Sequence, residues 1–370
     1  VPPREPLRLL LLTDELEVGG TQRQIVHLAR GLDRQRFAPT VAFFRNRSFL
    51  ADQLDAAGVP VAHVPKTRRI EPRFVRDLVR LLRTGRFDVM HCFAFTAELW
   101  GAVGHACLAS RQRPALITSV RNKYDWYSRT QWRLKRWTAL RSARVIANSR
   151  MGGEYARTRM KLPGGAVDVV YNGVAEMPAA AARAATGPLE LLFAGRLVEQ
   201  KNVPVLLRAM RRLPALGVDA RLRIAGGGPL RGHLQGMIDS LELGERVQML
   251  GERDDIPGLM ASADAVVLPS LREGLSNVIL EAMMTGRPVV ASDVGGNGEL
   301  VEPGVTGSLF ASDDDAGLAA AIAALAADAP LRMRMGRTAR ARALERYSID
   351  AMVHAMENHY LRCAEPAWTA

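Results

Sequence analysis

Short apolar runs alternate with helical stretches from one end of this chain to the other, and that alternation restricts the fold more than any other feature. Leu7–Leu12 and residues 40–44, 60–63, 89–91, 115–119, 145–147 and 167–170 read as strands. Helical stretches at 21–31, 48–57, 72–84, 95–109 and 130–142 lie between them. Leu189–Ala194 opens a second series, with strands at 221–225, 247–250, 265–268, 289–292 and 308–310. Helices at 314–327, 330–345 and 348–363 follow. Strands separated by helices form βαβ units with parallel strands. The expectation is an α/β protein of two parallel-sheet domains, since 370 residues suffice for two cores. The domains are placed at 1–174 and 189–350, with a terminal helix at 351–370. Residues 175–188 read as a linker whose alanine run also suits a short helix.

A hydrophobic content of 48% and a charged content of 24% are ordinary for a globular chain. No run approaches the roughly 18 apolar residues of a membrane span. The run at Leu7–Leu12 ends in Thr13-Asp14-Glu15 and reads as a strand, not a signal peptide. Cys92, Cys107 and Cys363 form no metal pattern, and their odd number argues against a disulfide framework, so a cytoplasmic setting is expected.

The net charge of +12 is unevenly held. Residues 1–180 carry 30 Lys/Arg against 15 Asp/Glu, whereas the remainder carries 20 against 23. Lys66, Arg68 and Arg69 lead into a helix bearing Arg73, Arg76, Arg80, Arg83 and Arg86. The run from Arg121 to Trp137 interleaves cations with aromatics, among them Lys123, Tyr124, Trp126, Arg133, Lys135 and Arg136. Such helices suit an anionic membrane surface, where each nearby cation contributes about 1 kcal/mol. That implies a peripheral position on the cytoplasmic face. A solvated arginine-rich face is the alternative. No helix-turn-helix, RNP or zinc-finger pattern is present, so no nucleic-acid partner is expected.

The chemistry concentrates between Leu268 and Pro288. Ala265–Leu268 reads as a buried strand and 276–285 as a helix closed by Gly286 and Pro288. Glu273 then lies in the loop at the strand's C-terminal end, and Glu281 lies inside the helix. Ligands of open α/β sheets sit in that crevice, beside helix N-termini that attract anions. Loop amides can hold a pyrophosphate there while an inward glutamate accepts two hydrogen bonds from a ribose diol. The two residues alone leave open that both are surface charges.

The flanks narrow the choice. Phe193-Ala-Gly195-Arg196-Leu197 is followed by Glu199-Gln-Lys201-Asn202, then by Ile224-Ala-Gly226-Gly-Gly228-Pro229 and Leu250-Gly251-Glu-Arg253-Asp254-Asp255. Val289-Val-Ala-Ser-Asp293-Val-Gly295-Gly296-Asn297-Gly-Glu299 follows the glutamate helix. With the E-x7-E spacing, these ordered motifs resemble the retaining glycosyltransferases of the GT-B fold, family 4, over most of the C-terminal half. The resemblance implies two Rossmann-like domains facing across a cleft, with the last helix packing back on the first.

It also implies roles. Arg196 and Lys201 resemble diphosphate binders, each charge-assisted bond contributing roughly 1.5–3 kcal/mol. Cations aimed at the leaving oxygen stabilise a transition state more than a ground state. Glu273 is similar to the glutamate that contacts the donor sugar, and Glu281 to the one that binds ribose. Gly274, Leu275, Ser276 and Asn277 offer amides to the phosphates. Arg253 and Asp254 resemble the loop beside the base, or else cap the helix near Ile256. Gly19 and Gly20 resemble a second phosphate-side turn, with Thr21 able to open the next helix; an ordinary βα turn is the alternative. Many relatives carry a histidine after the fifth strand, where this chain has Arg121 and Asn122. Either is expected to supply that contact. His91 resembles another family position, or is a buried structural histidine.

Asp313-Asp314-Asp315 precedes a helix and reads as a cap, not a metal site, so no metal or other cofactor is expected. The expectation is a retaining enzyme moving a sugar from a nucleotide diphosphate, UDP by family precedent, to a glycan or lipid-linked acceptor. The alternatives are a sugar-nucleotide epimerase or phosphorylase of the same fold, or a non-catalytic basic protein that binds anionic surfaces or nucleic acid.

Overall fold

The strand runs are apolar because both faces of their sheet are covered. In β1 (Leu7–Leu12), Leu9 and Leu11 join one buried cluster, while Leu10 and Leu12 join another on the opposite face. The computed structural model describes residues 5–17, 19–68, 70–122, 124–180 and 187–364. The expectations above on Arg69, Lys123, residues 181–186 of the linker and residues 365–370 lie outside the described residues. The chain divides into two compact units, Val1–Gly173 with Ile349–Ala370, and Val174–Ser348.

In the first unit, β1 is followed by α1 (Gly20–Gly31), β2 (Phe37–Phe43), α2 (Phe49–Ala56), β3 (Val61–His63) and α3 (Pro72–Gly85). Then come β4 (Val89–Cys92), α4 (Phe95–Ala106), β5 (Ala115–Val120), α5 (Arg129–Ala139), β6 (Arg144–Ala147), α6 (Arg150–Met160) and β7 (Val167–Val169). The sheet is parallel, in the order β3-β2-β1-β4-β5-β6-β7. Leu9 and Leu11 meet Ile25 and Leu28 of α1 and Leu50 and Leu54 of α2. Leu10 and Leu12 meet Phe74, Leu78 and Leu82 of α3 and Ala97 and Ala102 of α4.

The second unit runs β8 (Leu189–Ala194), α7 (Val203–Arg212), β9 (Ala220–Ala225), α8 (Arg231–Ser240), β10 (Val247–Gly251), α9 (Ile256–Ala261) and β11 (Ala265–Leu268). It continues with α10 (Asn277–Thr285), β12 (Val289–Ser292), α11 (Asn297–Leu300), β13 (Gly307–Phe310), α12 (Asp315–Ala327) and α13 (Ala329–Arg346). Its sheet is also parallel, ordered β10-β9-β8-β11-β12-β13. Asp314 caps α12 by accepting from the Gly317 amide at 2.9 Å. The last helix, α14 (Ile349–Ala364), belongs to the first unit and starts two residues before the boundary read from sequence. Its Met352, Val353, Met356 and Tyr360 complete the cluster around Leu9 and Leu11.

Strand order reverses at β1/β4 in the first sheet and at β8/β11 in the second. Those are the switch points where the connections leave a crevice outside the strands' C-terminal ends. Helices α6 to α8 had no counterpart in the sequence reading. In α6, Gly152 and Gly153 lower helix propensity, but Ser149 caps it and packing against β6 and β7 overrides the deficit.

Candidate functional site

The second unit's switch point is bounded by the loop after β8, Gly195–Asn202, and the loop after β11, Pro269–Ser276. Lys201 and Glu273, 72 residues apart, meet there, with Nζ donating to Oε1 over 2.6 Å. Glu273 is 7% exposed, so its carboxylate is held in place and not loose in solvent. The two loops are also braced through Gln200. Its Nε2 donates to the Arg272 carbonyl and its carbonyl accepts from the Leu271 amide, both at 2.8 Å. Arg196 is exposed on the same loop and makes no ion pair among the described residues.

Close backbone packing builds the floor. At Gly226, where φ is 147°, a Cβ would lie 1.9 Å from the Gly195 carbonyl oxygen, so only glycine lets the β9 loop press against the β8 loop. Gly295, at φ 54°, does the same for the loop after β12: a Cβ there would lie 1.9 Å from the Glu273 carbonyl oxygen. Helix α10 starts at Asn277 with Ser276 as its cap, whose hydroxyl accepts from the Ile279 amide at 3.4 Å. Gly274 and Leu275 are buried beside that helix start, and Glu281 lies half-buried one turn further on.

Arg253 and Asp254 are exposed. Arg253 grips Asp255 through two bonds, Nε to Oδ1 at 2.8 Å and Nη2 to Oδ2 at 2.7 Å. That pair holds the Asp255 carboxyl below the usual aspartate range. Neither residue caps α9: its cap position is Asp255, whose side chain makes no capping bond to the helix.

The first unit corrects two readings, on Thr21 and Arg121, and buries His91. Thr21 does not open α1: Gly19 occupies the cap position and Thr21 is the helix's second residue. An extended glycine can precede the helix without a side-chain bond, so Gly19 is the cap and Gly20 the first helical residue. His91 is 0% exposed, with Nδ1 at 2.9 Å from the Tyr360 hydroxyl and Nε2 at 2.8 Å from the Ser119 hydroxyl. Burial and nearby Arg121 push its pKa well below the ordinary value. It bridges β4, β5 and α14, as the buried structural histidine that was one of its two readings would.

Arg121 is the second correction. Nη2 donates to Asn172 Oδ1 at 2.9 Å, the guanidinium lies 5.8 Å from the Phe93 ring centroid, and Nε is sealed from solvent. Burial lowers its pKa to about 10. Arg121 therefore does not belong to an outward membrane-facing array, though it remains at the C-terminal end of β5 with half-buried Asn122. Lys135 and Trp132 of the same basic run also point inward.

Two family models match the sequence of this chain in order. "Glycosyltransferase Family 4" covers residues 18–176 and "Glycosyl transferases group 1" covers residues 179–342. The chain belongs to the family 4 glycosyltransferases. This glycosyltransferase is 36% identical over 199 residues to a glycogen synthase of Mycobacterium tuberculosis, covering 53% of this chain and 48% of that one. It is 36% identical over 163 residues to the alpha-D-kanosaminyltransferase of Streptomyces kanamyceticus, covering 44% and 42%. The chain thus spans about half the length of these curated relatives. Its fold is that of Anabaena Alr3699/HepE, solved in complex with UDP-glucose: TM-score 0.83 at 23% identity, over 96% of this chain and 100% of that one. Both units therefore have the Rossmann-like fold of the two GT-B halves.

The sequence did not reveal Gln200, Ser270 or Gln24 as site-forming residues. Gln24 Nε2 donates to the Gly173 carbonyl at 2.8 Å and its Oε1 accepts from the Gly173 amide at 2.9 Å, tying α1 to the end of the first unit. No local signal marks such long-range amide pairs. Among the described residues, no three His, Cys, Asp or Glu side chains gather as a metal site.

Proposed function

We propose that this glycosyltransferase transfers a sugar from a UDP-sugar, with retention at the anomeric carbon, to a glycan or lipid-linked acceptor in surface polysaccharide or glycoconjugate synthesis. The observation that carries the reading is the Lys201–Glu273 contact at the second unit's switch point, beside the capped N-terminus of α10. A diphosphate arriving there meets Arg196, Lys201 and the amides of Gly274 to Asn277. Those groups stabilise charge growing on the leaving oxygen as the sugar–phosphate bond breaks, with no metal required. Lys201 then exchanges Glu273 for the diphosphate, and Glu273 turns to the sugar. Glu281 accepts from the ribose hydroxyls, and Arg253 and Asp254 border the base. The UDP-glucose complex of Anabaena Alr3699/HepE, a protein of the same fold, supports this choice of donor.

Hydrolysis of a panel of UDP-, GDP- and ADP-sugars, with melting temperature followed for each nucleotide, tests the reading. Turnover and a stabilising shift with UDP-sugars are expected. No shift with any nucleoside diphosphate would count decisively against it. Formation of an epimer or a sugar phosphate would move the chain to a different reaction.

The acceptor is assigned to the basic first unit, with Gly19 and Gly20, Thr21, Arg121 and Asn122 at its strand ends. The same unit is proposed to rest on an anionic membrane surface at the cytoplasmic face. Arg73, Arg76, Arg80 and Arg83 are exposed along α3, and Arg129, Arg133 and Arg136 along α5, with Trp126 49% exposed just before it. No single helix among the described residues is long and apolar enough to cross a membrane. Co-sedimentation with phosphatidylglycerol vesicles is expected to drop severalfold on changing Arg129, Arg133 and Arg136 to alanine, each exposed cation contributing about 1 kcal/mol near the surface. Unchanged sedimentation removes this surface from the proposal.

A further inference from the structure

We propose that Ser270, held in turn by Ser292 and Asn297, is a positioning residue for the Glu273 carboxylate. The inference rests on the reading of Glu273 as the donor-sugar glutamate. Ser270 Oγ donates to Glu273 Oε1 at 2.7 Å, the same oxygen that accepts from Lys201. The two donors differ in permanence. Lys201 is partly exposed and is assigned to the diphosphate, so it leaves Glu273 when the donor arrives. Ser270 is 0% exposed and stays.

What keeps Ser270 in place is a buried chain running under the site. Its carbonyl accepts from Ser292 Oγ at 2.5 Å, and the Ser292 carbonyl accepts from Asn297 Nδ2 at 3.0 Å. Ser292 and Asn297 are both 0% exposed. Ser292 ends β12 and Asn297 starts α11, so the chain links two rigid elements to the loop that carries Glu273. The backbone adds a second tie, with the Gly296 amide donating to the Gly274 carbonyl at 2.7 Å. A carboxylate that must meet developing positive charge gains from being held by packed neighbours, because a misplacement near 1 Å costs on the order of a hundredfold in rate.

Ser270 also lies in the core, so its substitution must be read in a way that separates positioning from packing. Ser270→Ala is expected to lower kcat about tenfold, at the lower end of what removing an orienting partner does. The dissociation constant for UDP, measured by calorimetry, stays within twofold of wild type, because Glu273 is assigned to the sugar and not to the nucleotide. Ser270→Thr, which keeps the hydroxyl, recovers most of the rate. The deciding measurement is the cycle with Glu273→Gln. In that background Ser270→Ala is expected to add less than a twofold further loss, since the group through which it acts is already gone.

A full rate for Ser270→Ala overturns the proposal. So does an undiminished tenfold loss in the Glu273→Gln background, or parallel losses of UDP affinity and rate, each of which marks a packing role. If wild-type protein binds neither UDP nor any UDP-sugar, the donor reading itself fails and this inference falls with it. If wild type turns over and the cycle is additive, only the inference fails.

Discussion

Glu273→Gln is expected to lower sugar transfer by about 10²–10³-fold at saturating donor, the loss typical of removing one preorganised electrostatic partner from a reacting centre. Glutamine has the same shape and leaves a carbonyl oxygen for Ser270 to donate to, so the loop keeps its main support. What disappears is a negative charge beside the carbon that becomes positive as the leaving group departs. Lys201 loses its partner, but its side chain is 18% exposed and can turn to water. The stability cost should therefore stay near that of one hydrogen bond, about 1 kcal/mol. UDP affinity should be equal or slightly higher, because Lys201 no longer has to leave a carboxylate to reach the diphosphate. Measuring kcat, UDP affinity and melting temperature on the same preparation checks all three parts. Near-normal turnover would remove Glu273 from the mechanism. A large fall in melting temperature would show that the contact with Lys201 is structural first.

The sequence made the strands legible because a parallel strand covered on both faces is a plain apolar run, and Leu9–Leu12 of β1 is one. The loops carrying Arg196, Lys201 and Glu273 were legible for the same reason, since each directly follows such a run. That Lys201 would touch Glu273 was not readable locally. It depends on β8 and β11 being neighbours, a crossover set by the whole sheet. Ser270 lies in the loop after β11, and nothing in its sequence neighbourhood signals a partner on β12. Thr21 failed on a competition between two rules: threonine favours a cap, but an extended glycine two residues earlier started the helix first. In the run from Arg121 to Trp137, composition suggested a single charged face. Helical period decides otherwise, placing Trp132, Lys135, Thr138 and Ala139 inward and Arg129, Arg133 and Arg136 outward.

That inward Lys135 forms the pair whose loss should cost the fold most. Its Nζ meets Glu98 Oε1 at 2.8 Å and Oε2 at 2.6 Å, with both side chains almost fully buried. Lys135 also donates to the Ser119 carbonyl at 3.0 Å, and Glu98 Oε1 accepts from the Ser119 amide at 3.2 Å. The pair thereby clamps the end of β5, two residues before Arg121. Removing one partner leaves an uncompensated buried charge, so Lys135→Met is expected to destabilise the protein by roughly 3–5 kcal/mol at pH 8. Replacing both, with Glu98→Gln and Lys135→Met together, should cost less than Lys135→Met alone.

The penalty in Lys135→Met should also depend on pH, with a definite sign. Burial already raises the Glu98 pKa, and Lys135 is the largest influence lowering it again. Without Lys135 the folded chain holds the Glu98 proton to higher pH than the unfolded chain does, whose glutamate titrates at about 4.3. Stability from this group is then fully present below that value and is lost as pH rises through the raised one. The difference in melting temperature between wild type and Lys135→Met should therefore shrink as pH falls from 8 to 5. A difference that stays constant over that range would mean Glu98 is solvated once its partner is gone, and that the clamp on β5 owes little to buried charge.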